Sequence, residues 1–313
     1  MFHDDAGQLR RALVTLHYPE RESCATFYPS SLRADIECPA GMSKAHRAAV
    51  SSMAEFASER SPASGGSIQI NSTVPRGVGM GSSTADVTAV IRAIADFHDA
   101  RPSAEEIGGL AVKAEGASDP IMIDDRVVLF SQRDGLVLET LGRDLPQMVV
   151  VGCIADPESD GIDTMELALA PYTAADIDLF GLLRYELRVA VATGDAARLG
   201  WVATASARIS QRFLPKPALE FLLDVCRSCG GSGVQVAHSG TVAGVIFDSR
   251  ARGAARSVER CMDRIERAGL PLTGVIGSVP ATAGDAPGRR ALDASAVAPS
   301  RPVDGIEPEP ARP

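Results

Sequence analysis

A glycine-rich loop is the most chemically suggestive segment of the sequence. Three glycines at every second position precede hydroxyl residues that open a predicted helix. The segment reads Pro75-Arg76-Gly77-Val78-Gly79-Met80-Gly81-Ser82-Ser83-Thr84-Ala85-Asp86. Glycine permits positive φ and lets the backbone approach a ligand closely, and the helix start adds unpaired N–H groups and a positive dipole end. The pattern suits a phosphate cradle, and a tight structural turn is the alternative that the residues alone leave open.

Two better-known glycine motifs do not fit this segment. A Walker A loop ends in Gly-Lys-Ser/Thr, and no lysine follows Gly81. A dinucleotide fingerprint has the spacing G-x-G-x-x-G directly after a strand, with an acidic residue at the end of a later strand. Here Pro75 interrupts, the spacing is G-x-G-x-G, and Asp96 and Asp99 lie on the same predicted helix.

The elements that position the loop can be predicted from hydrophobic periodicity. Alternation over 67–71 predicts a strand before the loop, and Val87, Ile91 and Ile94 predict a helix after it. Ser103 and Glu106 form a capping-box pattern, which predicts a helix that continues to Glu115. The other predictions in this half are strands over 9–15 and 34–37, a loop with Pro19 and Pro29 between them, a helix over 43–59, and a hairpin over 127–139.

A second group of elements begins with the continuous apolar run over 147–154, which is typical of a central strand. The remaining predictions are helices over 174–193, 196–213, 217–229 and 251–268, and strands over 233–237, 242–248 and 273–276. The residues from His238 to Thr241 form a turn that either presents N–H groups to a ligand or is a plain hairpin turn. We predict domains over 1–145 and 146–279 and a disordered, proline-rich tail over 280–313.

Three segments together resemble the GHMP kinases, named for galactokinase, homoserine, mevalonate and phosphomevalonate kinases. The glycine loop is similar to the family's P-x-x-x-G-(L/M)-(G/A)-S-S-(S/T/A). E-G-A-S-D-P-I-M from Glu115 and G-V-Q-V-A-H-S-G-T-V-A-G from Gly233 resemble one branch, the L-threonine kinases of cobalamin assembly and propanediol use. The segments occur in the family's order, and the resemblance covers about residues 13 to 247.

The resemblance implies an α+β fold of two domains, the first ribosomal-S5-like and the second ferredoxin-like, with the active site between them. It implies transfer of the γ-phosphate of ATP, with Mg²⁺, to a hydroxyl group of a small molecule such as L-threonine or another hydroxy amino acid. The main alternative is a catalytically degenerate homologue that binds nucleotide and acts as a regulatory or interaction protein. The late A-H-S-G-T-V motif argues against a decarboxylating relative.

The resemblance also assigns roles to single residues. The nucleotide would contact the glycine loop and the late turn, at Pro75, Gly77, Gly79, Met80, Gly81, Ser82, Ser83, Thr84, Ser239 and Gly240. Ser83 and Glu115 would hold Mg²⁺, and Asp119 would accept the hydroxyl proton. A helix N-cap for Ser83 and solvated surface carboxylates for the two acidic residues are the alternatives.

The chain departs from the threonine-kinase branch in three places. Members normally begin with a strand segment of the type C-G-E-x-x-Q-G, and residues 1–15 resemble the stretch that comes after that segment in the branch. We therefore expect a shortened start that lowers turnover. Val78 and Gly81 stand where Lys and Ala are usual, and Gly-Ala rather than Pro-Thr comes after Glu115. These changes keep the phosphate cradle and bear on the choice of acceptor.

The composition argues against several other classes of protein. A net charge of −9 and a pI near 5.1 disfavour electrostatic binding of nucleic acid. No apolar run approaches the roughly 20 residues of a membrane span, and no secretory signal is recognisable. Cys226 and Cys229 form a C-x-x-C without a second ligand pair for zinc, so packed or idle thiols are expected. We expect a cytoplasmic monomer or homodimer whose partner is a small-molecule hydroxyl substrate rather than nucleic acid or membrane.

Overall fold

The computed structural model describes residues 1–3, 7, 9–58, 65–159, 172–237 and 240–277. Its helices are α1 (Ser43–Phe56), α2 (Ser82–Phe97), α3 (Ala104–Glu115), α4 (Ala174–Thr193), α5 (Ala196–Ser210), α6 (Leu219–Cys229) and α7 (Ala254–Arg267). Its strands are β1 (Phe2–His3), β2 (Leu9–Arg10), β3 (Ser23–Ser30), β4 (Ile36–Glu37), β5 (Gly65–Ser72), β6 (Val127–Ser131), β7 (Leu136–Gly142), β8 (Met148–Ile154), β9 (Gly233–Val236), β10 (Val242–Asp248) and β11 (Leu272–Ile276). The predicted tail over 280–313 lies outside the described residues.

The first half of the chain packs three helices on a small sheet. The strand order is β3-β5-β4, with β3 antiparallel and β4 parallel to β5. The predicted apolar face of α2 is buried, and Ile91 and Ile94 are fully enclosed. α1 and α3 pack beside α2, and Phe130 of the β6–β7 hairpin completes this core. The capping box of Ser103 and Glu106 is present at the start of α3, which confirms the sequence prediction.

Two predictions near the N-terminus are wrong. Only Leu9 and Arg10 of the predicted strand over 9–15 are in a strand, and beyond them Leu13 makes an isolated bridge to Phe130. The stretch predicted as a loop contains the eight-residue strand β3, in which Pro29 lies opposite Gly66. Proline lacks a backbone N–H, but an edge strand tolerates that loss, and β3 is at the edge of the described sheet.

The second half is built on an antiparallel sheet in the order β11-β8-β10-β9. The apolar run over 147–154 forms β8, an interior strand of this sheet as predicted. α6 and α7 supply buried residues to the core against the sheet, and Leu222 and Val258 are completely buried. Cys226 and Cys229 lie in the same core, so both thiols are packed.

The helical pair α4 and α5 connects the two halves. A third cluster of buried residues joins Leu187 of α4 and Leu199 of α5 to Val127 of β6. Glu139 on β7 also pairs with Arg184 at 2.9 Å and with Arg188, both on α4. This cluster draws residues from both sides of the predicted boundary at residue 145, and the boundary itself stays a prediction. Among the described helices, none has the length and apolar character of a membrane span.

One contact between α5 and β9 excludes any side chain. A Cβ atom at Gly200 would lie 2.3 Å from the Ser232 carbonyl oxygen, and one at Gly233 would lie 2.0 Å from the Gly200 oxygen. The Val234 N–H donates to the Thr204 Oγ1 at 2.9 Å, which holds the strand against the helix. The second sheet therefore ends on a glycine-to-glycine contact with α5.

We predict that Gly200→Ala lowers the free energy of unfolding by about 1–3 kcal/mol, because the methyl group meets backbone that cannot move aside cheaply. Gly181→Ala on α4 is the matched control, because its Cβ would meet nothing within 4 Å. That variant should gain up to about 1 kcal/mol from helix propensity. Urea unfolding of both variants checks this, and equal stabilities would contradict the contact.

Candidate functional site

The glycine loop lies between β5 and α2, as the sequence predicted. β5 ends at Ser72 and α2 begins at Ser82. Gly77, Gly79 and Gly81 all have positive φ, at 79°, 83° and 75°. Only glycine adopts this alternation easily, and it leaves the loop as a chain of backbone N–H groups that leads into the N-terminus of a 16-residue helix.

The residue that caps α2 is Gly81 and not a serine. It has left-handed backbone, and no side chain accepts a hydrogen bond at this cap. The Ser83 hydroxyl is therefore available for another partner, which removes the N-cap alternative for that residue. Pro75, Met80 and Ser82 are partly buried along the loop, while Thr84 is buried in the first turn of the helix.

The late turn between β9 and β10 lies directly against the glycine loop. A Cβ atom at Gly79 would lie 2.2 Å from the Gly240 Cα, so the two backbones touch. The Thr241 N–H donates to the Val78 carbonyl oxygen at 3.1 Å. The structure thus brings together two segments that the sequence places more than 150 residues apart. Ser239, like His238, lies outside the described residues.

Ser83 and Glu115 meet at the end of α3. The Ser83 hydroxyl donates to Glu115 Oε2 at 2.5 Å, and the carboxylate is 4% exposed. The second oxygen, Oε1, is buried and has no hydrogen-bond partner. Burial raises the pKa of Glu115, while hydrogen bonds from Ser83 and Thr84 and the nearby Lys44 ammonium lower it. An unpartnered buried carboxylate oxygen is costly unless a cation or donor reaches it.

The set of donors here suits a hard divalent cation. Mg²⁺ prefers oxygen ligands and is commonly held by one or two carboxylates together with phosphate oxygens. Glu115 Oε1 and the Ser83 hydroxyl are potential oxygen ligands beside the glycine loop. A cation at this point would also favour the charged form of the carboxylate, against the effect of burial. The residues present therefore fit the metal that the sequence resemblance implied.

Asp119 lies on the other side of the loop's last glycine. Its Oδ2 is 3.6 Å from the position that a Cβ on Gly81 would occupy. The loop that carries it is held by a hydrogen bond from the Ser118 N–H to the Gln132 oxygen at 2.8 Å. Burial raises the pKa of Asp119 above its ordinary value. This carboxylate is therefore not a freely solvated surface group.

Sequence reasoning assigned no role to Asp86, which anchors the loop. Asp86 is 4% exposed and accepts from the Ser23 hydroxyl at 2.6 Å and from the Arg76 guanidinium at 3.1 Å. It thereby ties the start of the loop to α2 and to strand β3. The sequence did contain a sign of this role. Asp86 lies four residues before Val90, on the helix face whose other residues are apolar, and a charged residue on a buried face usually has a partner.

Two curated proteins are similar to this chain in sequence. The chain is 28% identical over 196 residues to an L-threonine kinase of Citrobacter freundii and 29% identical over 206 residues to that of Salmonella typhimurium strain LT2. These matches cover 58% and 60% of this chain and 62% of each relative. The chain thus aligns with less than two thirds of the curated relatives' length.

The fold and the family rest on two further comparisons. The structure resembles that of homoserine kinase from Cytophaga hutchinsonii with a TM-score of 0.59 at 13% identity, covering 82% of this chain and 94% of that one. The likeness supports the two-domain α+β fold expected from the sequence. The family models described as GHMP kinases N terminal domain and GHMP kinases C terminal match residues 46–126 and 187–264. Together they cover about half of the chain, which belongs to the GHMP kinases.

Proposed function

We propose that this chain is a kinase that transfers the γ-phosphate of ATP, with Mg²⁺, to a hydroxyl group of a small hydroxy amino acid, with L-threonine the first candidate. The main support for the proposal is that the glycine loop, a buried carboxylate and a serine–glutamate pair lie next to one another. Gly81 ends the glycine loop, Asp119 lies beside it, and the Ser83–Glu115 pair begins two residues further on. The proximity of these groups supports binding of a triphosphate and a cation next to a proton acceptor.

The glycine loop would bind the phosphates through its backbone. Left-handed glycines occur at every second position of the loop. Such backbone can form a concavity of N–H groups that binds anions, and the α2 dipole would add positive potential. Gly240 closes the loop from the second sheet, so both halves of the chain would contact the nucleotide. This arrangement supports nucleotide-binding roles for the loop residues and Gly240.

Ser83 and Glu115 would hold Mg²⁺, which when bound neutralises charge on the phosphate oxygens. Asp119 would act on the acceptor. A carboxylate whose pKa is raised by burial is closer to the operating pH and accepts a proton more effectively. Its position beside Gly81 places it at the end of the loop where the transferred phosphate and the acceptor hydroxyl would meet.

The choice of a hydroxy amino acid rests on the threonine-kinase relatives. Their identity of 28–29% and their partial coverage support the substrate class more strongly than the single substrate. Val78 and Gly81 differ from the residues usual in that branch, which bears on the choice of acceptor. The backbone oxygen of Val78 accepts the hydrogen bond from the Thr241 N–H. Direct assay with L-threonine, L-serine and L-homoserine distinguishes the candidates.

The first prediction concerns nucleotide binding. Gly79→Ala should weaken MgATP binding more than tenfold, because the new methyl group would push the loop away from Gly240. Gly253→Ala is the control, since Gly253 has a similar φ of 78° but open space around it. Calorimetric titration checks both variants. Parental ATP affinity in Gly79→Ala would show that the loop does not bind the nucleotide.

The second prediction concerns proton transfer. Asp119→Asn should keep MgATP affinity and lower the rate of phosphate transfer by about a hundredfold or more, the scale of a lost general base. Asp124→Asn nearby is the control, because Asp124 is exposed. The assay is phosphoamino-acid formation with the three candidate acceptors. Unchanged transfer in Asp119→Asn would remove the base role.

The third prediction concerns the metal. Glu115→Gln should raise the Mg²⁺ concentration needed for half-maximal ATP binding by about tenfold, because a neutral amide is a weaker ligand than a carboxylate. Glu55→Gln, on the exposed side of α1, should leave that concentration unchanged. Titration of ATP binding with Mg²⁺ measures both. If Glu115→Gln needs the same Mg²⁺ concentration as Glu55→Gln and the parent chain, Glu115 does not bind the metal.

A further inference from the structure

The proposed site contains more negative charge than the residues assigned so far can balance. A triphosphate would lie beside the carboxylates of Glu115 and Asp119, and the transferred phosphoryl group stays negative throughout the reaction. Arg76 is the basic residue of the glycine loop, but its guanidinium already pairs with Asp86 at 3.1 Å. A further cation near Glu115 would therefore have an electrostatic function.

Lys44 is in the first turn of α1, and contacts on either side of it hold that turn near the glycine loop and the end of α3. α1 begins at Ser43, and just before it Met42 contacts the Arg76 guanidinium through its sulfur at 3.6 Å. One turn after Lys44, the Arg47 Nε donates to the Ala114 carbonyl oxygen at 2.8 Å. The first turn of α1 is thus fixed between the glycine loop and the C-terminal end of α3, next to Glu115.

The Lys44 side chain is partly buried, yet its ammonium has no hydrogen bond or ion pair with any residue of the described ranges. Burial raises the pKa of Glu115, and the positive charge of Lys44 is one of the influences that oppose this rise. Arg47, on the same face of α1, is by contrast occupied by a backbone carbonyl. Within the described part of the chain, this partly buried lysine has no hydrogen-bond or ion-pair partner, and its charge reaches the Glu115 carboxylate beside the glycine loop. It is therefore free to receive an anionic ligand.

We propose that Lys44 is a further catalytic residue, whose ammonium contacts the γ-phosphate of ATP beside Glu115. The inference rests on the proposed kinase function and deepens it. In the transfer, the bond between the γ-phosphorus and the bridging oxygen breaks, and the acceptor oxygen bonds to that phosphorus. Asp119 takes the hydroxyl proton and ADP leaves with the bonding electrons. Lys44 stabilises the charge on the equatorial oxygens of the moving group.

The test compares two nucleotides, because only ATP has a γ-phosphate. Lys44→Ala should weaken MgATP binding about tenfold, the scale of one charge-assisted hydrogen bond, and change MgADP binding less than about twofold. Lys44→Arg should recover most of the ATP affinity because it keeps the positive charge. Lys113→Ala, on the exposed side of α3, is the control and should bind both nucleotides as the parent does.

Thermal unfolding first establishes that each variant is folded, and Lys44→Gln replaces the alanine variant if that one is not. Parental ATP affinity after loss of the charge overturns the role of Lys44 alone. Equal losses for ATP and ADP overturn the contact with the γ-phosphate. If the parent chain binds neither nucleotide, the kinase proposal fails and the Lys44 assignment fails with it.

Discussion

The backbones of the glycine loop and of the late turn touch at Gly79 and Gly240, where neither position has room for a side chain. This contact joins the loop before α2 to the turn before β10 of the second sheet, and the Thr241 N–H bond to the Val78 oxygen fixes the two segments in register. Because the loop is fixed from that side, its amides and the start of α2 have a defined direction. This direction brings the Ser83 hydroxyl to Glu115, the last residue of α3, where the two side chains form a hydrogen bond. The proposed metal site depends on this pair.

The acidic side of the site is built at a cost in stability. Glu115 is the last residue of α3, and Gly116, with a φ of 80°, ends the helix and turns the chain toward Asp119. Burial raises the pKa of both carboxylates, which means that their charged forms are disfavoured in the folded chain. Perturbed carboxylates of this kind are typical of functional sites.

The sequence predicted those features that depend on local spacing. The capping box before α3, the apolar run of β8 and the strand–loop–helix order around the glycines are all local, and the structure contains them. Strand β3 was missed because Pro29 reads as a loop signal, and only its edge position makes that residue tolerable. The contact of Gly79 with Gly240 and the placement of Lys44 depend on tertiary packing between distant segments, so no local pattern revealed them.

The most direct test of the proposed kinase activity is ³¹P NMR of the chain with MgATP and each hydroxy amino acid in turn. A kinase of this kind should give a new phosphomonoester signal with at least one acceptor, an equal loss of the ATP γ-phosphate signal, and no such signal without acceptor. The Asp119→Asn variant should still bind ATP and form this product far more slowly. Tight ATP binding with no phosphomonoester from any acceptor would contradict the kinase activity and support a nucleotide-binding protein without it.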